Sequence, residues 1–122
     1  MSCIFCNIDK ERIILDNEDA FAVYDIFPVS KGHMLIIPKK HLKDYFEADE
    51  HTKTQLWKLV DECKELADKK FAPQGYNIGI NCGEAAGQTV MHLHIHLIPR
   101  YSGDIENPRG GVRGVIPDKR IY

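Results

Sequence analysis

The stretch His92-Leu93-His94-Ile95-His96-Leu97-Ile98 sets the tightest limit on how this chain can fold. Three imidazoles alternate with branched aliphatics, and in a β-strand successive side chains point to opposite faces. An extended conformation gathers His92, His94 and His96 on one face and turns Leu93, Ile95 and Leu97 to a core on the other. A helix, at about 100° per residue, would spread the histidines over roughly 200° of its circumference and make a poor cluster. The stretch therefore reads as a strand, and its polar face needs partners that a plain structural surface does not supply.

The flanking chain supplies elements that fit such a strand. Ile13-Ile14-Leu15, the polar turn Asp16-Asn17-Glu18-Asp19 and Phe21-Ala22-Val23-Tyr24 read as a β-hairpin. Pro28 and Gly32 bracket a loop into His33-Met34-Leu35-Ile36-Ile37, apolar enough for a central strand and stopped by Pro38. From Asp49 the period changes. Leu56, Leu59, Val60, Cys63, Leu66 and Ala67 recur at spacings of three and four, as an amphipathic helix requires. Asp49 serves as its N-cap, Glu50 and Lys69-Lys70 suit the two ends of its dipole, and Pro73 with Gly75 ends it. Tyr76 to Cys82 alternates like a half-buried strand. After Pro99 the chain becomes polar and Gly-rich, with a peripheral tail over 105–122.

The expectation is one α+β domain over residues 1–122: an antiparallel sheet of about five strands with one long helix. A single helix covers one sheet face, so an exposed edge or face is a natural dimer surface. A length of 122 residues supports one core, and a net charge of −2 gives no global electrostatic case for nucleic acid or membrane binding. No apolar run reaches the roughly 20 residues a bilayer demands, and the N-terminus lacks the pattern of a signal peptide. A cytoplasmic location is expected. There the four cysteines stay reduced: Cys3-x-x-Cys6 as a pair, Cys63 and Cys82 as small core residues.

Three readings compete for the histidines: a surface strand, a metal site of alternating ligands, or nucleophilic catalysis. A neutral imidazole, with an ordinary pKa near 6.5, is a good nucleophile toward phosphorus at neutral pH. The preceding loop, Gly83-Glu84-Ala85-Ala86-Gly87-Gln88-Thr89, favours the last. Its glycines let backbone N–H groups approach an anion, and Gln88 and Thr89 add neutral donors for charge developing on a phosphoryl group. A plain turn accounts for the glycines alone equally well.

Asn81-x-Gly83-x-x-x-Gly87-Gln88-Thr89-Val90-x-His92-x-His94-x-His96-Leu97-Ile98-Pro99-Arg100 resembles the signature of the histidine triad (HIT) nucleotide-binding family. The upstream run from Asp25 through Gly32-His33 to Pro38-Lys39-Lys40-His41, and the opening Cys3-Ile4-Phe5-Cys6-x-Ile8, resemble the same family, in its Hint-like, bacterial Hit-type branch. The resemblance implies a HIT-like fold whose sheet extends across a homodimer. It also implies a purine nucleotide hydrolase acting at the α-phosphorus of a nucleoside phosphoramidate or related nucleotide. In that comparison His94 matches the nucleophile that forms a nucleotidyl-histidine intermediate. His96 contacts the phosphate and protonates the leaving group, and His33 completes the cluster. Asp25 would hold the ribose hydroxyls, and Asn81, Gln88 and Thr89 would line the phosphate site. Phe5, Ile8, Val23 and Ile26 match the purine pocket, although plain core is an alternative for each. No catalytic metal is required.

The same resemblance implies a structural zinc on Cys3, Cys6, His41 and His92; the alternative is two reduced cysteines and a surface histidine. Arg109, Arg113, Lys119 and Arg120 in the tail are either solvated or belong to an arm reaching the active site. Rival functions are a dinucleoside polyphosphate hydrolase of the fragile-histidine-triad type, mildly resembled by Pro99-Arg100-Tyr101-x-Gly103-Asp104, and a nucleotide-binding regulator.

Overall fold

The computed structural model describes residues 3–122; Met1 and Ser2 of the N-terminal stretch lie outside the described residues. The strands are β1 (Ile13–Asp16), β2 (Ala20–Tyr24), β3 (Met34–Pro38), β4 (Gly75–Gly79) and β5 (Ile95–Arg100), and the helix is α1 (Glu50–Phe71). The sheet order is β1-β2-β3-β5-β4, with every neighbouring pair antiparallel. The expected α+β architecture is therefore present.

Register follows from the alternation. Leu35 pairs with His96 and Ile36 with Ile95, so the aliphatics of β3 and β5 sort onto two faces. One face carries Ala20, Ala22, Met34, Ile36, Ile95 and Leu97 against Leu56, Leu59, Val60, Cys63 and Ala67 of α1. The other carries Phe21, Val23, Leu35 and Ile37 beneath Phe5, with Ile8 packed alongside. The helix thus covers one face and the N-terminal segment covers part of the other.

The helix begins where the sequence places it, with the Asp49 carboxylate accepting the Thr52 N–H at 2.8 Å. It ends differently. Ala72, not a glycine, takes the left-handed C-cap position at φ 49°, and Pro73 then prevents further helix. His51 Nε2 joins Glu18 Oε1 at 3.0 Å and Asp19 Oδ2 at 2.9 Å, tying the start of α1 to the β1–β2 turn.

Two strand boundaries depart from expectation. Strand β4 stops at Gly79 rather than Cys82, and Cys82 is half-buried, not core; Cys63 is fully buried. Strand β5 starts at Ile95, so His92 and His94 precede it, and it runs on through Pro99 to Arg100. The cause lies in β3, where Pro38 has no N–H to donate and gives its carbonyl to His92 Nε2 at 2.9 Å. Leu93 N–H is diverted to the Leu42 carbonyl at 2.7 Å.

The tail folds on itself through short 3₁₀ turns, Gly111–Val115 and Pro117–Lys119. Arg120 donates to the Asn107 and Arg109 carbonyls, Arg113 donates to the Lys119 carbonyl, and both Arg109 and Arg113 stack over the Tyr122 ring. No helix among the described residues is long and apolar enough to cross a membrane.

Candidate active site and metal cluster

A cleft of about 560 Å³ opens on the sheet face away from α1. Its polar lining is His94, His96, Asn81, Thr89, Asp25 and Arg12 with the Gly87 backbone, and Ile4, Phe5, Ile8, Ile26, Phe27, Leu35 and Val90 supply the apolar walls. An apolar chamber with a few convergent polar groups is the usual form of a small-molecule site.

The hydrogen bonds assign each imidazole a tautomer. His94 Nδ1 lies 2.8 Å from the His92 carbonyl, which can only accept, so Nδ1 carries the proton and Nε2 keeps its lone pair. The Phe5 ring stands edge-on to His94 with centroids 5.0 Å apart and limits its rotation. His33 Nδ1 accepts the Val29 N–H at 3.2 Å, so its proton is on Nε2 and is donated to His96 Nδ1 at 2.9 Å. His96 must then carry its own proton on Nε2. Side by side, with ring centroids 5.1 Å apart, His94 and His96 thus offer a lone pair and an N–H donor. Burial holds His96 neutral, pushing its pKa down to about 4 with the neighbouring His94 and His33 adding to the effect. Burial lowers His33 also, although the Asp25 carboxylate opposes it.

Asp25 lines the cleft with one oxygen accepting the Phe27 N–H at 2.9 Å and the other 3.5 Å from His33 Nε2. Asn81, Thr89, Phe5, Ile8 and Ile26 face the cleft as expected positions for ligand contact. Val23, fully buried in the sheet, is core. His33 sits behind His96, outside the lining.

Gln88 also departs from its expected place. It is buried, its Oε1 takes the Gly83 N–H at 2.8 Å, and its Nε2 donates to the Lys43 and Val90 carbonyls at 2.6 and 3.1 Å. Both amide hydrogens are spent holding the loop. Three of the loop's own N–H groups are likewise committed: Ala86, Gly87 and Gln88 donate to carbonyls of Gly83 or Glu84. Gly83 and Gly87, at φ 94° and 91°, permit that closed turn. From this loop and its flanks the side chains of Thr89 and Asn81 line the cleft as donors, beside the His96 Nε2–H. Arg12 and Phe27 escape sequence reasoning because no motif marks them, and Val90 stands in the quoted signature without a role attached to it. No residue of the tail lines the cleft, so within one chain the tail is not an arm over the site.

The second cluster is Cys3, Cys6, His41 and His92, with one donor atom from each lying within 4.8 Å of the others. His92 Nδ1 is 3.3 Å from Cys3 Sγ and 3.5 Å from Cys6 Sγ, and His41 Nδ1 is 3.2 Å from Cys6 Sγ. A tetrahedral ion with zinc-type bond lengths places sulfur and nitrogen ligands about 3.5 Å apart. The Pro38 carbonyl takes His92 Nε2–H and leaves the Nδ1 lone pair for the metal, the usual supporting bond of a ligating imidazole. The donor set fits.

A profile of the HIT domain matches residues 7–103. The adenosine 5′-monophosphoramidase of Schizosaccharomyces pombe is 38% identical over 104 residues, spanning 82% of this chain and 75% of that protein. The bis(5′-adenosyl)-triphosphatase of Dictyostelium discoideum is 34% identical over 100 residues, spanning 82% and 67%. A zinc-bound histidine triad family protein from Mycobacterium smegmatis superposes with a TM-score of 0.77 at 35% identity, covering 84% of this chain and 78% of that one. With the domain matched over most of its length and relatives of this identity beside it, the chain belongs to the HIT family.

Proposed function

We propose that the protein is a purine nucleotide hydrolase that cleaves at the α-phosphorus of a nucleoside phosphoramidate or related nucleotide. The observation that carries this reading is the pairing of the His94 Nε2 lone pair with the His96 Nε2–H among the residues lining the cleft. In the first step His94 Nε2 attacks phosphorus and the bond to the leaving amine or phosphate breaks, the departing atom taking a proton from solvent while the His96 Nε2–H hydrogen-bonds the reacting group. In the second, water attacks the phosphorus of the nucleotidyl-histidine and loses its proton to solvent, and the phosphorus–nitrogen bond breaks, the electron pair returning to neutral His94 as the nucleoside monophosphate leaves. Asp25 orients the ribose, Asn81 and Thr89 hold the phosphate oxygens, and Phe5, Ile8 and Ile26 wall the base. His33 and Gln88 act one layer back, by fixing the His96 tautomer and the loop.

Cys3, Cys6, His41 and His92 would hold a structural zinc, which would pin the N-terminal segment to the sheet. Purified protein should carry about one zinc per chain; its absence, with stability untouched by Cys6→Ser, would remove zinc from the account. Two copies pair by extending the sheet at the open β4 edge, where Ile78 is 42% exposed. Sedimentation at twice the 14.0 kDa chain mass is the expected result, and a monomer at micromolar concentration contradicts it.

His94→Ala should reduce kcat by about 10³-fold or more, as loss of a catalytic nucleophile does, while a nucleoside monophosphate still binds. Multiple turnover at wild-type rates in that variant would overturn the mechanism. A second reading, hydrolysis of dinucleoside polyphosphates, is favoured by the likeness to the Dictyostelium triphosphatase. Parallel assays of adenosine phosphoramidate and diadenosine polyphosphates decide between the leaving groups.

A further inference from the structure

Two charged side chains line the cleft, and one of them, Asp25, is suited to the ribose. The other is Arg12. Its side chain is exposed and held by one hydrogen bond, Nη2 to the Tyr24 carbonyl at 3.3 Å. None of the ion pairs among the described residues involves it. The rest of the lining includes aliphatic and aromatic walls, of which Ile26 and Phe27 are 64% and 80% exposed. Arg12 and Ile26 also both line the shallow groove that adjoins the cleft, so the exposed arginine stands beside an apolar wall residue. An apolar slot binds any purine face and cannot tell one base from another. Discrimination falls to whatever polar group meets the ring edge.

A guanidinium is a donor only, at every pH a protein meets. The 6-oxopurines, guanine and hypoxanthine, present two acceptors side by side, O6 and N7, which two guanidinium N–H groups match. Adenine presents N7 beside the N6 amine, itself a donor, so one hydrogen bond is lost and two donors face each other.

We infer that Arg12 is the base-specificity residue of this site and that it selects 6-oxopurine nucleotides over adenine nucleotides. This rests on the nucleotide hydrolase reading above. It also predicts a preference different from the adenosine substrates in the names of two of its relatives.

The test compares guanosine and adenosine phosphoramidates as substrates, and GMP, IMP and AMP as ligands, for the wild type, Arg12→Ala and Arg12→Gln. The wild type should favour the guanosine substrate by about 5- to 10-fold in kcat/KM, the low end for a bidentate base contact because the group is exposed. IMP should bind like GMP, since the 2-amino group is not read. Arg12→Ala should bring the ratio near one. Arg12→Gln, whose amide both donates and accepts, should turn it toward adenine. Equal use of the two bases by the wild type, or a ratio that survives Arg12→Ala, overturns the inference. If neither phosphoramidate is hydrolysed, the reaction fails, and the monophosphate affinities still decide the role of Arg12. Because Arg12 is exposed with a single backbone bond, both variants should fold, which thermal melting verifies.

Discussion

At the scale of single residues, the site works by committing one nitrogen of each histidine so that the other is defined. His92 spends Nε2 on Pro38, His94 spends Nδ1 on the His92 carbonyl, and His33 spends its proton on His96. Burial keeps His96 neutral, and this has a thermodynamic cost at low pH. Its pKa falls from the ordinary 6.5 to about 4 on folding. Below 6.5 the unfolded chain binds a proton that the folded chain refuses, so stability is full above that pH. It is lost as pH drops from 6.5 toward 4, and levels off below. His33, lowered in the same direction, contributes in the same sense. Denaturant midpoints measured from pH 7.5 to 4 should fall over that window, and His96→Asn should make the curve shallower. An unchanged slope in the variant would mean that His96 is not held neutral. The triad motif announces such chemistry in the sequence, but the division of tautomers depends on His33, which lies 63 positions from His96 along the chain. Sequence spacing carries no trace of that bond.

Among the elements, periodicity and caps made α1 legible nearly to the residue, and the β1–β2 hairpin likewise, because both are local: an N-cap carboxylate, a polar turn, a repeat of three and four. Strand β5 was misjudged at its start because its limit is set from across the sheet, by a proline that has no N–H to donate. Gln88 was misplaced for a related reason. An amide beside a glycine-rich loop looks like a ligand donor until Lys43, 45 positions away, claims it. The end of α1 gives a direct check. Ala72 occupies a left-handed conformation at φ 49° that glycine adopts without steric penalty. Ala72→Gly should therefore raise stability by about 0.5–1 kcal/mol, despite the extra freedom it gives the unfolded chain. A loss of stability in equilibrium unfolding would show that the cap is not strained.

For the molecule as a whole, the segment from Cys3 to Arg12 matters more than its lack of long secondary structure suggests. It supplies two residues of the Cys/His cluster, Cys3 and Cys6, and it also lays Phe5, Ile8 and Arg12 along the cleft. A metal ion held there and a nucleotide held in the cleft would each stabilise the same placement of the same ten residues. Two ligands that favour one arrangement of a shared segment must favour each other, and by equal factors in both directions. Zinc removal by a chelator should weaken nucleoside monophosphate binding, and saturating monophosphate should slow or lessen zinc loss to the same extent. Titrations of each ligand with and without the other measure both sides of that equality, and independence of the two affinities would count against it. On this view the cell's zinc supply sets how much of the protein is competent to bind nucleotide, so a site with no place in the chemistry becomes a control on its capacity.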